Sequence, residues 1–154
     1  MPILETRTVL WPDEAACAAS ARAIAARAAV RSAFIELHGT LGAGKTTFAR
    51  HLLGALGVQG RVKSPSYAIM EPYQLPDFEA WHFDFYRFDD PQEWEDAGFR
   101  DVFSSPGLKL AEWPEKAAGL LPVADLTIAI AFGQDDWRIA TLSAHTPLGV
   151  ALLP

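Results

Sequence analysis

The sequence predicts an α/β sandwich built around a mixed sheet. In its first half, short apolar runs alternate with segments whose apolar residues recur at helical spacing. In its second half, strand-like runs follow one another more directly. Alternation calls for parallel crossovers, and direct succession for antiparallel pairing. The chain has 154 residues, 50% hydrophobic and 21% charged, which suffices for one core and argues against global disorder. No repeat, low-complexity tract or linker divides it, so residues 1–154 are read as one domain.

The elements follow in order. TRTVL, Thr6 to Leu10, alternates as a short strand. Pro12 and Asp13 then open a helix, with Asp13 or Glu14 near its positive end. Cys17, Ala21, Ile24 and Ala28 share one helical face, and the alanines suit close packing on a sheet. AFIEL, Ala33 to Leu37, is a strand leading into a glycine loop. Phe48, Leu52 and Leu56 mark the next helix, which Gly57 ends. Tyr67 to Tyr73 and Ala80 to Phe88 read as strands joined by QLPDFE. Within the second, Trp81, Phe83 and Phe85 face one side, and His82, Asp84 and Tyr86 the other. Pro91 to Gly98 reads as a short acidic helix. Leu108 to Ala111 is a strand, followed by a helical turn at Pro114. Leu126 to Phe132 and Trp137 to Leu142 form a last hairpin across FGQDD.

Charge and cysteine content narrow the function. Net charge is −6, and the balance is uneven. Residues 1–63 carry eight Lys/Arg and four Asp/Glu, whereas 64–136 carry four and fifteen. A chain that held RNA by phosphate neutralisation alone would be basic, and this one is not. The acidic middle reads as a solvated surface or as a face for a basic protein partner. One cysteine, Cys17, leaves neither an internal disulfide framework nor a cysteine metal cluster. The N-terminus lacks the pattern of a secretory signal, and no apolar run is long enough to cross a bilayer, so a cytoplasmic protein without membrane contact is expected.

Chemistry concentrates in GTLGAGKTT. Gly39-x-x-x-x-Gly44-Lys45-Thr46 fits the phosphate-loop pattern, with a strand before it and a helix after it. Glycines let several backbone N–H groups curl toward a phosphate, and the helix N-terminus adds positive potential. Lys45 would reach the β- and γ-phosphates and the Thr46 hydroxyl would ligate Mg²⁺. Thr47 extends the helix start in a minor role. A second carboxylate should help hold the metal, and Asp84, in its apolar strand, is the best placed. Glu112 ends a short strand, where it could orient a water or a metal-bound water. Trp113 could stack on a base or pack in the core. Ser64 and Ser66, in KSPSY, could sense a γ-phosphate as switch loops do, or serve as a plain turn.

Five stretches, GTLGAGKTTFAR (39–50), VKSPSYAIMEPY (62–73), HFDFYRF (82–88), EDAGFRDVF (95–103) and LAEWPE (110–115), closely resemble the TsaE family in order and spacing. LLPVADLTIAIAF and the strand after it extend the resemblance over nearly the whole chain. The resemblance implies a single P-loop NTPase-like three-layer sandwich that binds ATP or ADP with Mg²⁺. It implies nucleotide contacts from Gly39, Gly42, Ala43, Gly44, Lys45, Thr46, Thr47 and Trp113. Metal-side groups would be Thr46, Asp84 and Glu112; Glu112 and Lys45 would be catalytic, and Glu112 and Trp113 match a glutamate and a tryptophan needed for ATP turnover. Ser66 stands where the family usually has threonine and keeps the hydroxyl; Thr40 stands where aspartate is common. The family is required for making threonylcarbamoyladenosine in bacterial tRNA. It works with a TsaB–TsaD pair, through which tRNA is met indirectly, and is thought to reset that complex between rounds.

Other classes fit less well. A signalling GTPase would read guanine through Asn-Lys-x-Asp, and this chain has no asparagine. A small-molecule kinase needs an arginine-bearing lid and an acceptor pocket, for which 154 residues leave little room. A binding module, in which nucleotide holds a complex together and turnover is incidental, stays open.

Overall fold

In a computed structural model, described over residues 2–62, 65 and 69–154, seven strands form one mixed sheet. These are β1 (Glu5–Trp11), β2 (Phe34–His38), β3 (Met70–Gln74), β4 (Glu79–Asp84), β5 (Leu108–Glu112), β6 (Leu126–Phe132) and β7 (Arg138–Ala144). The order across the sheet is β1-β7-β6-β2-β5-β4-β3. Strands β6, β2, β5 and β4 run parallel, and antiparallel pairs close both edges. The helices are α1 (Glu14–Ala25), α2 (Lys45–Ala55), α3 (Pro91–Asp96), α4 (Phe99–Ser104) and α5 (Pro147–Leu152).

Alternation along the central strands assigns each side chain to a face. Ile35, Leu37, Leu108, Leu110, Leu126 and Ile128 join a core with Ala21 and Ile24 of α1 and Phe48 and Leu52 of α2. Phe34, Phe83 and Ala111 enter a second core with Trp94 of α3 and Phe99 of α4. All five residues of β5 are buried, as a strand covered on both faces requires. On the first face, Trp11 stacks on Phe48 with ring centroids 5.7 Å apart. Its indole N–H donates to Ser20 Oγ at 2.9 Å. One tryptophan thus fixes β1, α1 and α2 together.

Several sequence expectations need correction. The helical face of Cys17, Ala21 and Ile24 stops before Ala28, which is exposed and begins a 3-10 turn over Ala28–Ser32. The strand expected over 80–88 ends at Asp84. There Phe85 N donates to Glu112 O at 3.0 Å, and the chain turns so that Phe88 N reaches Phe85 O at 2.9 Å. Phe85 and Phe88 go into the second core, pairing edge-on at 5.5 Å. Burial of two aromatic rings there outweighs further ladder bonds. The helical turn at Pro114 is present, as a 3-10 turn over Pro114–Ala117. Neither α4 nor α5 was anticipated, since six residues are too few to show a period. The start of the strand expected from Tyr67 lies outside the described residues.

Asp125 ties the base of the sheet. Its Oδ2 accepts the Phe34 N–H at 2.8 Å, and its Oδ1 accepts the Thr146 hydroxyl at 2.7 Å. Thr146 in turn caps α5 by accepting from Gly149 N. Replacing Asp125 by alanine strands the N–H of Phe34, a residue only 5% exposed. The expected loss is about 2 kcal/mol of unfolding free energy, measured by urea denaturation against the parent chain.

Candidate functional site

The site lies where α2 starts, beyond the C-terminal ends of β2, β4 and β5. Between β2 and α2 the chain closes a tight loop, and two glycines make this possible. Gly39 has φ 153°, and a Cβ there would stand 2.7 Å from Ile130 O on the neighbouring strand. Gly44 has φ 115° and is the N-cap of α2, in the left-handed region that side chains disfavour. Ala43 N donates back to Thr40 O at 3.0 Å. From behind, Arg138 Nε donates to Ala43 O at 3.0 Å, and the same guanidinium lies 4.2 Å from the Phe132 ring centroid. No local pattern in the sequence marks this arginine; it meets the loop only because β7 returns beside β6.

Lys45 is 5% exposed. Its ammonium folds back on Gly39 O and Thr40 O and sits 3.9 Å from the centre of the Trp113 ring. Burial lowers its pKa, while the carboxylates of Glu112, Glu115 and Asp84 act to raise it. Thr46 Oγ1 donates to Glu112 Oε1 at 2.8 Å. The other oxygen, Oε2, lies 2.6 Å from His82 Nε2. Glu112 and His82 are 2% and 0% exposed.

Sheet register explains the meeting. Leu37 and Asp84 both pair with Glu112, from β2 and β4 on either side of β5. Asp84 and Glu112 therefore share a face at the strand ends. Asp84 Oδ1 also accepts the Tyr86 N–H at 3.0 Å. Trp113 has φ 55°, in the left-handed region, and its ring lies 5.0 Å from that of Tyr86.

These groups line a cavity of about 340 Å³. Gly42, Gly44, Lys45, Thr46 and Thr47 form one wall, and Asp84, Tyr86, Glu112 and Trp113 the other. Gly39 meets the cavity only through Lys45. Ala43, with Gly42, Gly44 and Thr47, borders a second cavity of about 240 Å³ beside Trp11, Cys17 and Arg138. Ser64 and Ser66 lie outside the described residues. Trp113 packs against the second core and also forms a cavity wall.

A mixed seven-stranded α/β protein with a glycine loop entering its second helix is the class that fold and site define. Comparison with known proteins gives the family. The profile described as "Threonylcarbamoyl adenosine biosynthesis protein TsaE" matches residues 11–140. The tRNA threonylcarbamoyladenosine biosynthesis protein TsaE of Haemophilus influenzae is 44% identical over 119 residues, 77% of this chain and 75% of that one. Its counterpart in Bacillus subtilis is 37% identical over 110 residues, covering 71% and 68%. That of Rickettsia bellii is 30% identical over 144 residues, covering 93% and 98%. Among solved structures, a crystal structure of Bacillus subtilis YdiB superposes with a TM-score of 0.81 at 26% identity, covering 99% of this chain and 94% of that one. The chain belongs to the TsaE family. Among the described residues no helix is long and apolar enough to cross a membrane.

Replacing Arg138 by alanine removes the donor to a carbonyl on Ala43, a residue 1% exposed. A loss of about 2 kcal/mol is expected, read by urea denaturation. Arg138→Lys should recover only part of it, because an ammonium lacks the planar fork that also covers Phe132.

Proposed function

We propose that the chain is an ATP hydrolase of the P-loop class, cytoplasmic, acting in threonylcarbamoyladenosine modification of tRNA beside TsaB and TsaD homologues. The observation that carries this reading is the 2.8 Å contact between Thr46 Oγ1 of GKT and Glu112 Oε1 of AEWPE. It brings the helix-start hydroxyl of a phosphate loop onto a buried carboxylate at a strand end. The family's name supplies the pathway.

The chain's own groups account for the steps. Backbone N–H groups of residues 39–46 and the start of α2 would cradle the triphosphate. Lys45 would turn from Gly39 O and Thr40 O onto the β- and γ-oxygens, exchanging two carbonyls for charged partners. Thr46, Asp84 and Glu112 present a hydroxyl and two carboxylates, hard oxygen donors of the kind Mg²⁺ takes while leaning on nucleotide phosphates for the rest of its shell. Mg²⁺ held there would neutralise charge developing on the transferred phosphoryl group. Glu112 would orient or polarise the attacking water. Trp113 and Tyr86 would wall the reacting end from solvent.

Slow turnover alone follows from the same geometry. Both oxygens of Glu112 are engaged, by Thr46 and by His82. The described walls of the cavity hold Lys45 as their one cation. An arginine brought by a partner is worth ~10³–10⁵ in rate where such fingers act. Phosphate release should therefore be slow for the purified chain and rise at least tenfold when the TsaB and TsaD homologues are added together. Equal rates with and without them would contradict partner dependence.

Two substitutions separate binding from turnover. Lys45→Ala should abolish the heat of Mg-ADP binding in calorimetry. Glu112→Ala should keep that binding but stop phosphate release, and cells relying on it should lose the tRNA modification. If they keep it, nucleotide serves to hold the complex together and hydrolysis is incidental.

A further inference from the structure

We propose that His82 is a positioning residue for Glu112: its Nε2–H pins one carboxylate oxygen so that the other faces Thr46 and the cavity. The inference rests on the hydrolysis reading for its kinetic consequence but not for its geometry.

His82 is fully buried, with exposure 0%, in the middle of β4. Its one hydrogen bond among the described residues runs to Glu112 Oε2, at 2.6 Å. The other ring nitrogen, Nδ1, is buried and has no hydrogen-bond partner among the described residues. A buried polar atom without a partner costs stability, and an apolar side chain in this core would avoid that cost. Packing therefore gives no reason for an imidazole here, whereas the carboxylate does. In the proposed bond the ring N–H donates and the carboxylate oxygen accepts, which puts the proton on Nε2. The bare Nδ1 then needs no acceptor, and a buried lone pair left without a donor costs less than an orphaned N–H.

The geometry gives the bond a purpose. Glu112 is the last residue of β5, and the chain turns sharply at Trp113. A glutamate side chain in that place has three rotatable bonds and a choice of oxygens. The Thr46 contact alone leaves the second oxygen unfixed. With Oε2 held from below by a strand neighbour, Oε1 is the one presented to the loop. His82 reaches it because Ala80, His82 and Asp84 share the face on which Leu110 and Glu112 lie, and His82 pairs in register with Leu110. His82 is not among the residues that line the cavity; its action passes through Glu112, which is.

Two readouts test this on the full chain. The first is independent of turnover. In protein labelled with ¹⁵N-histidine, the four histidines are distinguished by comparison with His82→Gln. The His82 ring should carry a proton on Nε2 that is protected from exchange. A ring with no proton on Nε2 would overturn the proposal. The second readout splits kcat from KM in the presence of the TsaB and TsaD homologues. His82→Leu should lower kcat by about 10–100-fold, the usual effect of losing a residue that orients a reacting group. The KM for ATP and the calorimetric Kd for Mg-ADP should stay within about threefold, a split that general loosening of the core would not give. His82→Gln places an amide donor near the Nε2 position and should restore most of the loss, while His82→Asn, too short to reach Oε2, should not. If the leucine variant does not fold, the glutamine–asparagine pair decides. Wild-type kcat in His82→Leu, or glutamine no better than asparagine, would sink the role. Absence of turnover in the wild-type chain would instead defeat the hydrolysis reading, and the ¹⁵N measurement would still decide whether His82 holds Glu112.

Discussion

The hydroxyl of Thr46 and the carboxylate of Glu112 are 66 positions apart in sequence and 2.8 Å apart in space, and the sheet order is what closes that gap. Strand β2 delivers the loop and α2 above its C-terminal end. Strand β5 lies beside β2, parallel to it, so its last residue arrives at the same end. Strand β4 does the same on the far side of β5 and brings Asp84 level with Glu112. A shift of one residue in β5 would turn Glu112 to the opposite face, into the aromatic core. Site chemistry is thus secured by apolar packing: Leu108 and Leu110 on one side and Ala111 on the other set the phase of the strand.

The electrostatics of the loop follow from its enclosure. A buried ammonium loses hydration, and Lys45 offsets that loss with two carbonyls and an indole face. Burial lowers its pKa and the nearby carboxylates offset only part of that, and none of the described hydrogen bonds joins one to Nζ. Among the described residues the partners of Lys45 are two carbonyl oxygens and the Trp113 ring. Arg138 performs a different service from the other side. By bonding Ala43 O it braces the loop from β7.

Much of this was legible in the sequence, and the unread parts share a cause. The glycine loop was clear because its residues are consecutive and their chemistry is local. The strands β2 and β5 were clear because packing on both faces gives short, dense apolar runs, and β6 because its buried residues alternate with more exposed ones. What failed was decided by partners distant in sequence. The strand at 80–88 stops at Asp84 because Phe85 and Phe88 are drawn toward Trp94 and Phe99, which no pattern within that strand announces. Arg138 was not singled out, because the carbonyl it bonds, on Ala43, lies 95 positions earlier and nothing near either residue links them. His82 and Tyr86 were both read as facing the same way as Asp84, but the register of β4 on β5 brings only the histidine to Glu112, while the tyrosine lies past the strand's end and its ring meets Trp113.

Trp113 shows how core and site share one residue. A non-glycine residue with φ 55° carries strain of about 1–2 kcal/mol, and such strain persists only where the surroundings fix it. Here Pro114 follows and starts a tight turn, while Ala117 anchors that turn in the second core. The sharp bend this imposes ends β5 at Glu112, so the carboxylate is the last group held in strand register. It also throws the indole over Lys45. Relaxing the backbone at Trp113 would extend the strand, carry the ring away from the ammonium and free Glu112 from its two partners. The strained turn, the cation beneath the indole and the doubly held carboxylate are therefore one mechanical unit, and the aromatic core under α3 and α4 is what keeps it under tension.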